Sequence, residues 1–146
     1  MRILRSLHEA HNFIATQKCK GEKIGLIPTM GALHKGHISL IEVSKKETDF
    51  TVCSIYVNPT QFNNKEDFKT YPNLFEQDIA LLEKLACDAV FAPSHESMYP
   101  EGTFKGLLQL NFGALEKELE GKYRPGHFNG VGVVVSKLLH IISPHK

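Results

Sequence analysis

The sequence predicts an α/β fold, a parallel β-sheet with helices on its faces. Short apolar runs, Lys23 to Ile27, Phe50 to Val57 and Asp88 to Ala92, alternate with segments of helical apolar spacing. Turn formers stop each run: Pro28-Thr29-Met30-Gly31, Asn58-Pro59 and Pro93. Alternating strands and helices imply parallel pairing through right-handed crossovers.

Ser6 to Lys18 has Leu7, Ala10, Phe13 and Ile14 at helical spacing and ends before Gly21. Lys23 to Ile27 is the first expected strand, and a helix follows from near His34. Phe50 to Val57 is β-branched and aromatic, a second strand. A polar loop from Thr60 to Thr70 has N-N-K-E-D at its centre. Asn73 to Leu85 places Leu74, Ile79, Leu82 and Leu85 at helical spacing, and Asp88 to Ala92 reads as a third strand. Tyr99 to Lys105 is rich in turn formers. Leu107 to Leu110 reads as a short extra strand and Ala114 to Leu119 as a short helix. Asn129 to Ile142 reads as the last helix, although Val131, Val133, Val134 and Val135 also suit a strand. A crossover helix that delivers no further strand before Lys146 points to a piece of a longer protein.

At 146 residues the chain has the length of one domain, residues 1–146. It is long enough to bury roughly 68–70% of its unfolded surface. Hydrophobic content of 42% and charged content of 23% are those of a globular protein. A net charge of +1 gives no reason to expect nucleic acid or an anionic membrane as partner. The N-terminal residues hold no apolar core of signal-peptide length. The longest apolar stretch, Val131 to Ile142, is interrupted by Ser136, Lys137 and His140 and is too short to span a bilayer. Cys19, Cys53 and Cys87 form no CxxC pair, which suits a reducing, cytoplasmic compartment. The same scatter, with no HExxH, argues against a zinc site.

The most specific stretch is Pro28 to Ile41, P-T-M-G-A-L-H-K-G-H-I-S-L-I. It reads as a strand end, a glycine-containing loop and a helix start carrying His34 and His37. The first turn of a helix offers unpaired N–H groups and the positive end of the dipole, which attract anions. Residues i and i+3 share a helix face, so the two imidazoles are placed to grip one phosphate. Gly31, Ala32 and Gly36 leave room for a ligand to approach the backbone. An isolated HxxH is a common chance pattern, and it is the strand before and the apolar helix after that give it meaning. The loops after the first two strands fall on the carboxyl edge of the sheet, where such folds bind ligands.

Together with S-I-Y-V-N-P-T-Q-F, D-A-V-F-A-P-S, M-Y-P and L-E-G-K-Y-R-P-G-H-F-N-G-V, this stretch resembles the bacterial pantothenate synthetase (pantoate–β-alanine ligase) family. The match runs in order from about Gly25 to the C-terminus. The resemblance implies the HIGH-signature nucleotidyltransferase superfamily, with a Rossmann-like N-terminal domain and a smaller C-terminal domain that this chain lacks. It implies ATP with Mg²⁺, pantoate and β-alanine as small-molecule substrates and cofactors, and a homodimer. By resemblance, Met30, Gly31, Ala32, Leu33, His34, Lys35, Gly36 and His37 form the ATP-binding segment. His34 and His37 are its catalytic pair, and His37 is the proton donor. Gln61 matches the residue that binds pantoate and lies by β-alanine. Pro28, Thr29, Met30, Tyr56 and Asn58 match further pantoate contacts, and Val134 and Val135 match the apolar wall of that pocket. Tyr71, Asp78 and the Arg124-to-Phe128 turn match family positions to which the resemblance attaches no definite role. Lys35 stands where the family more often has an acid. Two further motifs, a Gly-x-Lys-Asp followed by a glutamine pair and a KMSKS-like loop, are expected beyond Lys146.

Two other readings compete. One is another nucleotidyltransferase of the same superfamily, but those usually carry F-D or F-x-P before H-x-G-H, where this chain has Ala32-Leu33. The other is a non-catalytic, isolated nucleotide-binding domain.

Overall fold

The computed structural model describes residues 1–62, 68, 70–102 and 108–146. Among them, strands β1 (Arg2–Leu4), β2 (Ile24–Thr29), β3 (Phe50–Ile55) and β4 (Ala89–Phe91) form a parallel sheet. Their spatial order is β1-β4-β3-β2. Helices α1 (Leu7–Cys19), α2 (Lys35–Glu47), α3 (Phe75–Lys84), α4 (His95–Met98), α5 (Leu119–Tyr123) and α6 (His127–Ile142) surround it. Two 3-10 turns, Pro59–Gln61 and Gly113–Lys117, are also found among the described residues.

Strand alternation divides the core in two. Val52, Ala89 and Phe91 pack with Ala10 and Ile14 of α1 and Val134, Leu138 and Ile141 of α6. Cys53 and Val90 pack on the opposite face with Ile41 of α2 and Ile79 and Leu82 of α3. Both faces of the sheet are therefore covered, which is why its strands read as continuous apolar runs. Burying one such side chain contributes about 1.5–3 kcal/mol.

The three expected strands and the four long helices lie where the sequence places them, with ends moved by one or two residues. α1 starts under a capping box in which Ser6 and Glu9 satisfy each other's backbone N–H groups. β2 runs on through Pro28 to Thr29. Leu26 N–H points away from β3, to Lys146 O at 2.9 Å. Pro28, two residues on, turns its nitrogen the same way, so its missing N–H removes no bond to β3. β1 has no counterpart in the sequence reading. It is three residues long and only Leu4 is buried, so no alternation marks it.

The valine-rich stretch from Val131 is helix, not strand. The expected helix Ala114 to Leu119 divides into the 3-10 turn Gly113–Lys117 and α5. Residues 108–110 have no regular structure, and Leu107 lies outside the described residues, as do residues 103–105 of the turn-rich stretch and the N-N-K-E-D centre of the polar loop. After α6, Lys146 N–H donates to Ile24 O at 3.3 Å while Leu26 N–H donates to Lys146 O. That is the pattern of a parallel bridge, so α6 does deliver the chain to the free edge of β2.

Candidate active site

The loop from Met30 to His34 joins β2 to α2 at the carboxyl edge of the sheet. Gly31 (φ 81°) and Ala32 (φ 50°) are both left-handed, a conformation costing a non-glycine residue about 1–2 kcal/mol. Asp78, in the first turn of α3 and 4% exposed, holds them there. Ala32 N–H donates to Asp78 Oδ2 and Leu33 N–H to Asp78 Oδ1, each at 2.8 Å. Gly31 N–H donates to Thr29 Oγ1 at 3.1 Å, and that hydroxyl donates to Ser54 O at 2.7 Å. A Cβ on Gly31 would stand 2.9 Å from Asp78 Oδ2 and 3.3 Å from Ile55 Cγ2. Only glycine fits between the loop and its clamp.

The two histidines cap α2 together. His34 is the N-cap, and its Nδ1 accepts from Gly36 N–H at 3.1 Å. His34 N–H donates in turn to Nδ1 of His37 at 3.3 Å. The rings lie 4.0 Å apart between centroids, inclined by 30°. An Nδ1 that accepts from an amide carries no proton, so each neutral ring keeps its proton on Nε2. The His37 imidazolium is disfavoured by burial first and by His34 second, against a smaller upward pull from Asp78, and its pKa falls below the ordinary value.

This geometry corrects one expectation. The N–H groups of Gly31, Ala32, Leu33, His34 and Gly36 are all used within the protein. What the loop offers an anion is therefore chiefly a pair of imidazole Nε2–H groups, with few of its amides left open. Gly36 also has a different reason: a Cβ there would meet Cε1 of the His34 ring at 3.0 Å. Lys35 is exposed.

A cleft of about 290 Å³ adjoins the loop, lined by Met30, Gln61, Phe62, Tyr71, Arg124 and His127 among others. Gln61 ends the 3-10 turn and is mostly buried. Its Nε2–H donates to Met30 Sδ at 2.8 Å, a weak acceptor. His127 Nδ1–H donates to Gln61 O at 3.0 Å and fixes the turn from α6. Arg124 forms an ion pair with Glu120 at 3.4 Å.

The remaining expected pantoate contacts do not gather at this cleft. Asn58 is fully buried, and its side chain is spent inside the fold. Its Nδ2 donates to Thr60 Oγ1 (2.8 Å) and Gly130 O (3.0 Å), and its Oδ1 accepts from Tyr99 Oη (2.9 Å) and Thr60 N–H (3.4 Å). Asn58 is thus a structural strut and offers no free amide to a ligand. Tyr56 turns to His95, Oη to Nδ1 at 3.0 Å, and lines a cleft of about 930 Å³ with Arg5 and Phe75, which meets the smaller one at Tyr71. Val134 is buried in the core under α6, and Val135 packs against the same cluster. Thr29 is buried and serves the loop, while Pro28 is exposed. Asp78 and Tyr99, by contrast, hold the site together from elements distant in sequence, and no spacing rule reveals them.

Among the described residues, no three His, Cys, Asp or Glu side chains are grouped to hold a metal ion. None of their helices is long and apolar enough to cross a membrane.

The family model described as pantoate-beta-alanine ligase matches residues 2–146. A pantothenate synthetase of Porphyromonas gingivalis is 49% identical over 146 residues, covering 100% of this chain and 51% of the relative. One from a Thermoanaerobacter species is 49% identical over 144 residues, covering 99% and 50%. Among solved structures, the pantoate-beta-alanine ligase of Francisella tularensis, complexed with beta-gamma ATP and beta-alanine, superposes with a TM-score of 0.90. It is 48% identical, over 99% of this chain and 54% of that one. Pantothenate synthetase of Thermus thermophilus gives 0.87 at 42% identity, over 99% and 50%. The chain spans about half the length of the curated relatives it matches. By the match of the family model and by these identities over nearly its whole length, the chain belongs to the pantoate-beta-alanine ligase family.

Proposed function

We propose that this chain carries the adenylate-forming half of a pantoate–β-alanine ligase site. ATP and pantoate give pantoyl adenylate and pyrophosphate, and β-alanine then displaces AMP to give pantothenate. The observation that carries the reading is the reciprocal His34/His37 cap, which leaves two neutral Nε2–H donors at the carboxyl edge of a parallel sheet. In the first step a pantoate carboxylate oxygen attacks the α-phosphorus, a new P–O bond forms, and the bond to the β-phosphate oxygen breaks. The electron pair leaves on pyrophosphate. The two imidazoles meet the growing charge on the phosphate oxygens through hydrogen bonds from Nε2–H, and His37 keeps its hydrogen bond on the oxygens as pyrophosphate departs. In the second step the β-alanine amine attacks the acyl carbon and AMP leaves.

Residues Met30 to His37 hold the triphosphate, Gln61 binds pantoate and adjoins the β-alanine position, and Met30 walls that cleft. The resemblance also sets Pro28, Thr29, Tyr56, Asn58, Val134 and Val135 against pantoate, and of these Thr29 fixes the loop and Asn58 the Pro59–Gln61 turn. Mg²⁺ enters with the triphosphate as part of the substrate. A homodimer and a cytoplasmic setting belong to the same proposal.

The test is pantoate-dependent exchange of label between pyrophosphate and ATP, run on this chain and on the chain extended to the length of its relatives. His37→Ala is expected to lower exchange about 10²–10³-fold, with little change in the melting temperature. Exchange in the extended chain alone assigns part of the adenylating machinery to the second half. Absence of exchange in both overturns the reading.

A further inference from the structure

We propose that Asp78 is a positioning residue: its carboxylate locks the Met30 to His34 loop so that His34 and His37 turn their Nε2–H groups toward a bound polyphosphate. The inference rests on the polyphosphate reading above and assigns the orientation of that site to one side chain in α3. Three observations carry it. Both carboxylate oxygens of Asp78 are used, one on each of two consecutive loop amides at 2.8 Å. Those amides follow and include two left-handed residues, one of them an alanine, a conformation that persists only under such restraint. The carboxylate is buried, and Gly31 has no room for even a methyl group against it.

A buried carboxylate beside an anion site is paradoxical if charge alone matters, because it repels the ligand. Its presence makes sense if its geometry outweighs its charge. The amides it takes would otherwise face either way. Held inward, they leave the imidazoles as the donors that remain at the ligand. The groups that act on the His37 ring electrically are His34 beside it and Asp78 itself.

The contrast gives a test by sign. Asp78→Asn removes the negative charge, keeps the shape, and leaves one acceptor for two amides. If Asp78 acted through charge alone, the variant would bind inorganic tripolyphosphate more tightly. As a positioning residue it makes the opposite prediction: affinity measured by calorimetry falls about tenfold, in line with losing one charge-assisted hydrogen bond. Amide exchange at Ala32 and Leu33, followed by NMR, is expected to accelerate by at least about tenfold on the same grounds. The ring ¹⁵N shifts of His34 and His37, which report the Nε2–H tautomer in the native chain, are expected to become those of a tautomer mixture.

Unchanged amide exchange and unchanged ring shifts in Asp78→Asn, or tighter tripolyphosphate binding, overturn the proposal. If the native chain binds no tripolyphosphate, the polyphosphate reading fails, and the exchange rates and ring shifts alone then judge the clamp. If Asp78→Asn does not fold, Gly31→Ala, which presses on the same carboxylate from the loop side, carries the same three readouts with the same expected direction.

Discussion

His37 does two things with one ring, and the first needs it neutral. Nδ1 accepts the His34 amide, and Nε2–H is the donor left for a ligand. Burial and the neighbouring His34 lower its folded-state pKa below the usual value near 6.5. Between the folded and unfolded values the unfolded chain binds more protons, so stability rises with pH through that window and is complete above about 6.5. Acidification through the same window removes it. We therefore expect the urea midpoint to fall as the pH drops below about 6.5 and the fall to be shallower in His37→Ala. An identical slope in the variant would show that the ring titrates alike in both states. The pair itself was legible as H-K-G-H after a strand, but its arrangement was not. Spacing gives a shared helix face, whereas the rings stack across the N-cap and the first turn. Asp78 was illegible as a clamp because its partners lie 45 and 46 residues away.

At the scale of elements, the Pro59–Gln61 turn and α6 form one unit. Gly130 of α6 lies so close to the turn that an added Cβ would stand 2.4 Å from Thr60 O, 2.6 Å from Thr60 C and 2.8 Å from Gln61 Cα. All three are backbone atoms, so no side-chain rotation relieves the clash. Gly130→Ala is expected to destabilise the chain by about 1–3 kcal/mol through overpacking. It is also expected to weaken pantoate binding by displacing Gln61, measured by thermal melting and by pantoate titration. An unperturbed melting temperature would mean that the contact yields cheaply. The sequence shows Gly130 and Gly132 beside a run of valines, and the reason for Gly130 appears only once the helix meets the turn. Asn58 is the same case. Asn-Pro after a strand marks a turn, but only the packed fold shows Tyr99 and Gly130 taking up its side chain.

For the molecule as a whole, the doubly covered sheet decides which chemistry stays hidden. Cys53 and Cys87 lie in the core on the α2/α3 face, and burial, the largest cause, pushes their thiols up to about 12 and about 11. Cys19 is exposed. A maleimide near pH 7.5 is therefore expected to modify one thiol rapidly and the other two only as fast as the chain opens, because the thiolate is the nucleophile. Rapid modification of two or three thiols, read by mass spectrometry, would mean that this face of the sheet opens readily. The count of cysteines and the lack of a CxxC pair were plain in the sequence. Their inertness depends on strand alternation turning Cys53 inward and on α3 closing over it.

By itself the sequence determined the fold class, the strands β2, β3 and β4, the four long helices and the identity of the histidine loop. Each of these is written locally, in apolar period, turn residues and helix starts that involve near neighbours. The short strand β1, the inward turn of Asn58 and Tyr56, and the Asp78 clamp were decided by tertiary structure. Each depends on a hydrogen bond or contact between segments far apart in the chain, and such a contact leaves no period behind. That clamp also takes up the amides of Ala32 and Leu33, which near-neighbour patterns leave open.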